Sequence, residues 1–122
     1  MDKKRPDILE LAAVMKALSD PTRLVILDLL MQGVQCNCSL GDRLGLPINL
    51  ISHHLKVLRQ AGLVQAERDP LDARWIYYSV DPDKLAGLRG QLAAFLDPGR
   101  IQSRLPTCGP QFAGKEMARV TR

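Results

Sequence analysis

The stretch SLGDRLGLPINLISHHLKVLRQAG, residues 39–62, decides the fold. Leu40 and Leu44 lie four residues apart, which predicts the buried side of a short helix. Gly45-Leu46-Pro47 then favours a tight turn, and residues 48–60 show the periodicity of a longer helix. A short helix, a turn and a longer helix in this order predict a helix-turn-helix.

The longer helix carries a polar stripe at helical spacing. Short donors and acceptors near the start of a helix suit the base edges of a DNA major groove, and cations farther along suit phosphates. An ordinary solvated helix face would show the same stripe, but the short helix before it and the basic hairpin after it favour DNA reading. The predicted DNA-contacting residues are Asn49, Ser52, His53, Lys56 and Arg59 on this helix and Arg74 near the tip of the hairpin.

The other face of this helix is mostly apolar and is predicted to lie against the core: Ile51, Leu55 and Leu58 recur at helical spacing. His53 and His54 are adjacent, so their side chains diverge by about 100° on a helix. They cannot form the i, i+4 pair that a zinc site uses. We therefore expect His54 to pack at the edge of the core.

Three further helices are predicted from apolar spacing. The first covers residues 7–18, and the last covers roughly 82–96. The second begins with Asp20 as the N-cap and Pro21 at the first helical position, and it ends at Gly33.

Two alternating stretches, residues 63–68 and 74–80, predict a β-hairpin with a mobile, polar tip at 69–73. The predicted fold is therefore mainly α with a small β-hairpin (α+β), in the order ααααββα. Proline and glycine interrupt every pattern beyond this region. We predict one domain over residues 1–96 and a loosely ordered C-terminal tail over 97–122.

Composition limits the classes of protein that fit. A chain of 122 residues supports one small core, and its formal charge of +4 favours a polyanionic partner. No run of 18 apolar residues is present, and the N-terminus lacks a secretory signal, so we expect no membrane partner and a cytoplasmic location. Three cysteines, an odd number, argue against a disulfide framework. We find no catalytic motif or spacing, so an enzyme is not expected.

Two of those cysteines, Cys36 and Cys38, precede the helix-turn-helix. Ser39 with Asp42 resembles a capping box, which would leave both cysteines just outside the helix. In an extended segment the side chains at i and i+2 share one side, so the two sulfurs can converge. The positive end of the helix dipole should lower a nearby thiol pKa. Such thiolates would select soft, thiophilic ions, although two small buried hydrophobic residues would look the same in sequence.

Four segments together resemble the ArsR/SmtB family of winged-helix repressors. They are residues 18–23 (LSDPTR), 51–58 (ISHHLKVL), 62–64 (GLV) and 74–79 (RWIYYS), in the family's order, and the match covers about residues 8–96. The resemblance implies a winged helix-turn-helix that dimerises through its first and last helices. It also implies that the homodimer binds a palindromic, double-stranded operator and that an inducer ion releases the DNA.

Within that family, Cys36-Asn37-Cys38 resembles the thiolate pair of the arsenic-responsive members. The resemblance implies As(III) or Sb(III) as the inducer, with no organic cofactor. Gly41 stands where the commonest pattern has a third cysteine, so Cys108 is the remaining candidate for a third sulfur, from the same or the partner subunit. Alternatively, Cys108 is a free thiol in the tail. The last helix has no histidine, which argues against zinc sensing through that helix.

The sequence therefore predicts a metalloid-responsive repressor whose operator is released when As(III) or Sb(III) binds the cysteines. Ion binding would pull residues 36–38, distort the start of the third helix and shift the fourth helix in the groove. Two alternatives remain open. The same fold would serve a thiol redox or persulfide switch, and a Cys-x-Cys protein without a DNA role would serve as a metal carrier.

Overall fold

A computed structural model describes residues 7–103, 106 and 108–110. These residues form a mainly helical domain with a small sheet, as predicted. The elements are α1 (Ile8–Leu18), α2 (Pro21–Met31), β1 (Gln35–Cys36), α3 (Asn37–Leu44), α4 (Ile48–Gln60), β2 (Val64–Arg68), β3 (Ile76–Val80), α5 (Pro82–Phe95) and a 3₁₀ turn (Pro98–Arg100).

Local capping chemistry fixes the junction between α1 and α2. The Asp20 side chain accepts hydrogen bonds from the backbone N–H groups of Thr22 (2.7 Å) and Arg23 (3.3 Å). Pro21 occupies the first helical position, where its missing N–H is not needed. The predicted N-cap and start of this helix are confirmed, and α2 ends at Met31, two residues before Gly33.

The sheet has one strand more than the predicted hairpin. β3 lies at its centre, and β1 and β2 pair with it on either side in antiparallel fashion. β1 contains only two residues, with Gln35 opposite Tyr78 and Cys36 opposite Tyr77. A two-residue strand is too short to show an alternating pattern, so only its long-range pairing reveals it.

The core lies where α4 meets α2, α3 and the sheet. The predicted apolar face of α4 is fully buried, and His54 is 7% exposed at its edge, as expected. By contrast, α5 has no buried residue. The buried core consists of Ile26, Leu27, Leu30, Leu40, Ile51, Leu55, Leu58, Leu63, Val64 and Tyr78.

After α5 the Asp97 side chain accepts a hydrogen bond from the Gly99 N–H (2.9 Å), which caps the short 3₁₀ turn. Most of the predicted tail, residues 97–122, lies outside the described residues, so its loose order stays a prediction. Within the part of the chain that is described, every helix is too short or too polar to cross a membrane.

Candidate nucleic-acid interface and thiol site

The polar stripe of α4 points away from the core. Asn49, His53, Lys56 and Arg59 are exposed, and Ser52 is half-buried. The Pro47 N-cap offers no side-chain hydrogen bond, and in the first turn of α4 the Asn49 side chain accepts from the Leu50 N–H (3.0 Å). The helix therefore presents short polar groups, cations and its positive end on one accessible surface.

Arg74 is also accessible, but it has an intramolecular partner. Its side chain is 88% exposed and donates to Asp72 through Nη2 (2.8 Å) and Nε (3.0 Å). The Arg74 hydrogen bonds hold the pKa of the Asp72 carboxyl below its usual value. A phosphate contact from Arg74 must therefore compete with Asp72.

The tip of the hairpin, predicted to be mobile, is held by several hydrogen bonds. The Tyr77 hydroxyl donates to Asp69 (2.9 Å), whose carboxylate also accepts from the backbone N–H groups of Leu71 (2.8 Å) and Asp72 (3.2 Å). Arg68 donates to the carbonyl of Ala73 (2.7 Å). These contacts orient the segment that carries Arg74.

The two cysteines converge as predicted. Their Sγ atoms lie 2.8 Å apart, and both side chains are half-buried. The predicted cap is wrong, however. Cys36 is the N-cap of α3, in extended conformation, and its sulfur accepts a hydrogen bond from the Ser39 N–H (3.3 Å). Cys38 therefore lies in the first turn of the helix, and Ser39 instead donates its hydroxyl to the Gln35 side chain (3.0 Å).

The predicted lowering of the thiol pKa is also wrong for Cys38. The pKa of Cys38 is raised, first by its hydrogen bond with Cys36 and then by burial. Negative charge on Cys36 also raises the pKa of Cys38, and this effect is larger than that of either opposing backbone N–H group at the helix start. At neutral pH the Cys38 thiol therefore keeps its proton.

The third predicted sulfur does not join the pair. Cys108 is exposed. Within residues 7–103, 106 and 108–110, no three His, Cys, Asp or Glu side chains form a group that could hold a metal ion. The described geometry therefore supplies a two-sulfur site.

Sequence reasoning missed a contact that fixes α4 against α1 and α2. Arg23, only 15% exposed, donates through Nε to the Ala17 carbonyl at the end of α1 and places Nη1 3.2 Å from Nδ1 of His54. Since arginine can only donate, Nδ1 must accept, and we assign the ring proton to Nε2. The LSDPTR segment was the available signal, because its arginine is the residue that makes this contact.

Comparison with known proteins agrees with this architecture. The model of the family described as "Bacterial regulatory protein, arsR family" matches residues 20–66. An uncharacterised HTH-type transcriptional regulator of Methanocaldococcus jannaschii is 41% identical over 61% of this chain and 81% of its own. An arsenical resistance operon repressor of Staphylococcus xylosus is 42% identical over 49% of this chain and 58% of its own.

One solved structure is similar over most of the chain. The homodimeric winged helix-turn-helix DNA-binding domain from Mycobacterium bovis, a possible ArsR-family transcriptional regulator, superposes with a TM-score of 0.60. It is 26% identical, and the match covers 83% of this chain and 90% of that domain. The chain therefore belongs to the arsR family of bacterial regulatory proteins.

Proposed function

We propose that this regulator represses transcription as a homodimer on operator DNA and releases the DNA when Cys36 and Cys38 capture As(III) or Sb(III). The observation that carries the proposal is the pair of sulfurs 2.8 Å apart at the first turn of α3. α3 is followed in the chain by a tight turn and then by α4. Sensor and DNA-reading surface are thus neighbours in one helix-turn-helix.

Membership of the family gives the general function of the chain. The chain is a transcriptional regulator with a winged helix-turn-helix, and its relatives are regulatory proteins and not enzymes, as predicted. For the DNA contacts we propose Asn49, Ser52, His53, Lys56, Arg59 and Arg74. The accessible stripe on α4 supports the first five, and the exposed position of Arg74 on the hairpin supports the sixth.

Homodimer formation is supported by the apolar surface that one chain leaves uncovered. Ile8 (55% exposed) and Leu9 (83%) lie on α1, and Leu96 (67%) follows α5, which buries none of its residues. Exposed apolar groups on two adjacent helices are typical of a protein interface. The similar mycobacterial domain is described as homodimeric.

The capture chemistry balances without an oxidant. Arsenous acid exchanges two hydroxyl groups for two sulfurs, and each thiol proton leaves with a hydroxyl as water. Two As–S bonds form and two As–O bonds break, and Sb(III) would react in the same way. Soft thiolates favour these ions. A third sulfur from Cys108, of either subunit, would exchange the last hydroxyl.

The α3 cap connects capture to the DNA-reading surface. The Cys36 sulfur that binds the ion is the atom that accepts the Ser39 N–H, so capture competes with the cap. α3 cannot shift freely, because Gly41 is buried and its carbonyl accepts the Leu46 N–H (3.2 Å) from the turn before α4. Displacing α3 therefore strains the turn before α4. A coupling of about 1–3 kcal/mol would weaken operator affinity about 5–150-fold.

A second candidate rests on the same sulfur geometry. A disulfide requires about 2.05 Å between sulfurs, and the Sγ atoms already lie at 2.8 Å. Two-electron oxidation by a peroxide would join them, yield water and remove the same cap. A redox-responsive repressor is therefore the alternative to a metalloid-responsive one.

The test begins with a duplex selected from random DNA for binding to the native protein. Operator affinity is then measured by fluorescence anisotropy during titration with arsenite, antimonite, cadmium or peroxide. We expect arsenite to release the native protein, and Cys36→Ser and Cys38→Ser to bind DNA without responding. Cys108→Ser reports whether the tail supplies the third sulfur. Release by peroxide alone would favour the redox candidate, and affinity indifferent to replacement of the whole α4 stripe would favour a metal carrier.

A further inference from the structure

We propose that Tyr77 is a positioning residue that couples the thiol pair to the tip of the hairpin, which from here on also includes Arg74 and Trp75 and so covers residues 69–75. Capture at the sulfurs would then act on the hairpin as well as on α3. This inference rests on the proposed function in taking the cysteine pair as the sensor. It adds a second connection from that sensor to a proposed DNA contact, Arg74.

The first step is the pairing of β1 with β3. Cys36 lies directly opposite Tyr77 in the antiparallel ladder. The pKa of Tyr77 is raised chiefly by its hydrogen bond to Asp69, and negative charge on Cys36 and Cys38 adds to the increase. The pairing therefore places Tyr77 beside Cys36, so that a shift of Cys36 acts on the β3 backbone at Tyr77.

The second step runs from Tyr77 into the tip. Its hydroxyl donates to Asp69 (2.9 Å), and the Asp69 N–H donates to the Trp75 carbonyl (2.9 Å). The Trp75 N–H in turn donates to the carbonyl of Asp72 (3.0 Å), whose carboxylate holds Arg74. Asp69 is thus the point at which the strand and the tip are joined.

The third step is the weakness of β1. The strand contributes two residue pairs to the sheet, and one of them contains Cys36. An ion bound to both sulfurs must hold them farther apart than their present 2.8 Å, because two ion–sulfur bonds of about 2.3 Å meet at a wide angle. Moving Cys36 in this way strains that pair, and the strain reaches the Tyr77 hydroxyl through the β3 backbone. A contiguous set of contacts becomes a coupling pathway only when a change at one end alters the other. That condition can be measured directly.

The tip contains its own reporter, since Trp75 is the one tryptophan in the chain and is 45% exposed. In a Cys108→Ser background, Cys36 and Cys38 are alkylated with iodoacetamide, and mass spectrometry confirms both additions. Acrylamide quenching of Trp75 emission is measured before and after. We expect alkylation to change the quenching constant, and Tyr77→Phe to lose most of that change.

Two variants of Asp69 test the same connection from the other side. Asp69→Asn keeps an oxygen that can accept from Tyr77, so it should retain the response to alkylation. Asp69→Ala removes the acceptor and should lose it. Tyr78→Phe is the matched control, because this neighbouring tyrosine faces the core and its hydroxyl makes no hydrogen bond among the described residues. If far-UV circular dichroism shows that one variant misfolds, the Asn and Ala pair still decides the question.

An equal change with and without the Tyr77 hydroxyl would overturn the inference, as would an unchanged Trp75 signal in the doubly alkylated Cys108→Ser protein. Neither measurement uses arsenite or DNA. The proposed function can therefore fail, through a lack of arsenite-induced release, while the connection to the tip stands. Conversely, arsenite can release the DNA while alkylation leaves the Trp75 signal unchanged, and the two measurements would show this.

Discussion

Replacing Cys36 should separate its structural role from its chemical role. The Cys36 sulfur caps α3 by accepting the Ser39 N–H at 3.3 Å, and the same sulfur is proposed to bind the ion. Cys36→Ser keeps a cap, since serine is among the best N-cap residues. Cys36→Ala removes it. Both variants remove the thiol, so both should lose the response to arsenite.

The two variants should differ in stability by about 1 kcal/mol, the usual difference between serine and alanine at an N-cap. With a urea slope of about 1–3 kcal/mol per molar, Cys36→Ser should unfold at a midpoint roughly 0.3–1 M above that of Cys36→Ala. Circular dichroism at fixed protein concentration measures this difference, and the fixed concentration is needed because association shifts the apparent stability of a dimer.

Ser39→Ala is the decisive control, because the capping-box pattern in the sequence assigns the cap to Ser39. The structure places Ser39 inside the first turn, where alanine is a good helix former and only the bond to the Gln35 side chain is lost. We expect Ser39→Ala to cost less than Cys36→Ala. Equal midpoints for the two Cys36 variants, together with a clear loss for Ser39→Ala, would refute the assignment of the cap.

Three further predictions concern the binding of DNA, the binding of ions and the packing of the core. Lys56→Gln removes one phosphate contact from each protomer, so the slope of log affinity against log salt should become shallower by about 2. Fluorescence anisotropy at several salt concentrations measures this slope. The control variant Lys84→Gln, on α5, should leave the slope unchanged. Cadmium must displace the proton that the raised pKa of Cys38 retains, so its affinity should increase with pH without a plateau below 9.0, the ordinary thiol value. Arsenous acid releases water, so calorimetry should find a smaller pH dependence, and equal dependences would contradict the two-thiol chemistry. Leu55→Ala, at a position with no exposed surface, should lower the free energy of unfolding by about 2–5 kcal/mol in urea, and a loss below 1 kcal/mol would place Leu55 outside the core.

The sequence was sufficient wherever the signal is local. α4 matches the predicted bounds of 48–60, and its buried and exposed faces follow the predicted stripes. Asp20 and Pro21 indicate the start of α2 in the sequence, because capping depends on neighbouring residues only. Convergence of the two sulfurs was also predicted, but from an extended segment that holds both cysteines, whereas Cys38 lies in the first turn of α3.

The sequence was insufficient wherever partners are distant along the chain. β1 exists because Gln35 and Cys36 pair with β3, about forty residues later, and two residues carry no period of their own. The same distance hides the contact between Arg23 and His54. The cap was misassigned for a different reason: serine is a common N-cap and cysteine is not, so propensity favoured Ser39 over the residue that the strand places there.

The free energies of the individual contacts indicate which part of the domain can respond to an ion. Ile51, Leu55 and Leu58 fix α4 with no exposed surface, and exposing even two of them would cost about 3–6 kcal/mol. That exceeds the 1–3 kcal/mol typical of allosteric coupling, so α4 must stay attached to its core when DNA is released. The cap of α3, the β1 pairs and the tip contacts are single hydrogen bonds worth about 0.5–1.5 kcal/mol each. A coupling of about 1–3 kcal/mol is enough to break one or two of these hydrogen bonds, and all three begin at or next to Cys36. Release should therefore come from changes around α4, in the turn before it and in the hairpin beside it, while the helix keeps its own packing.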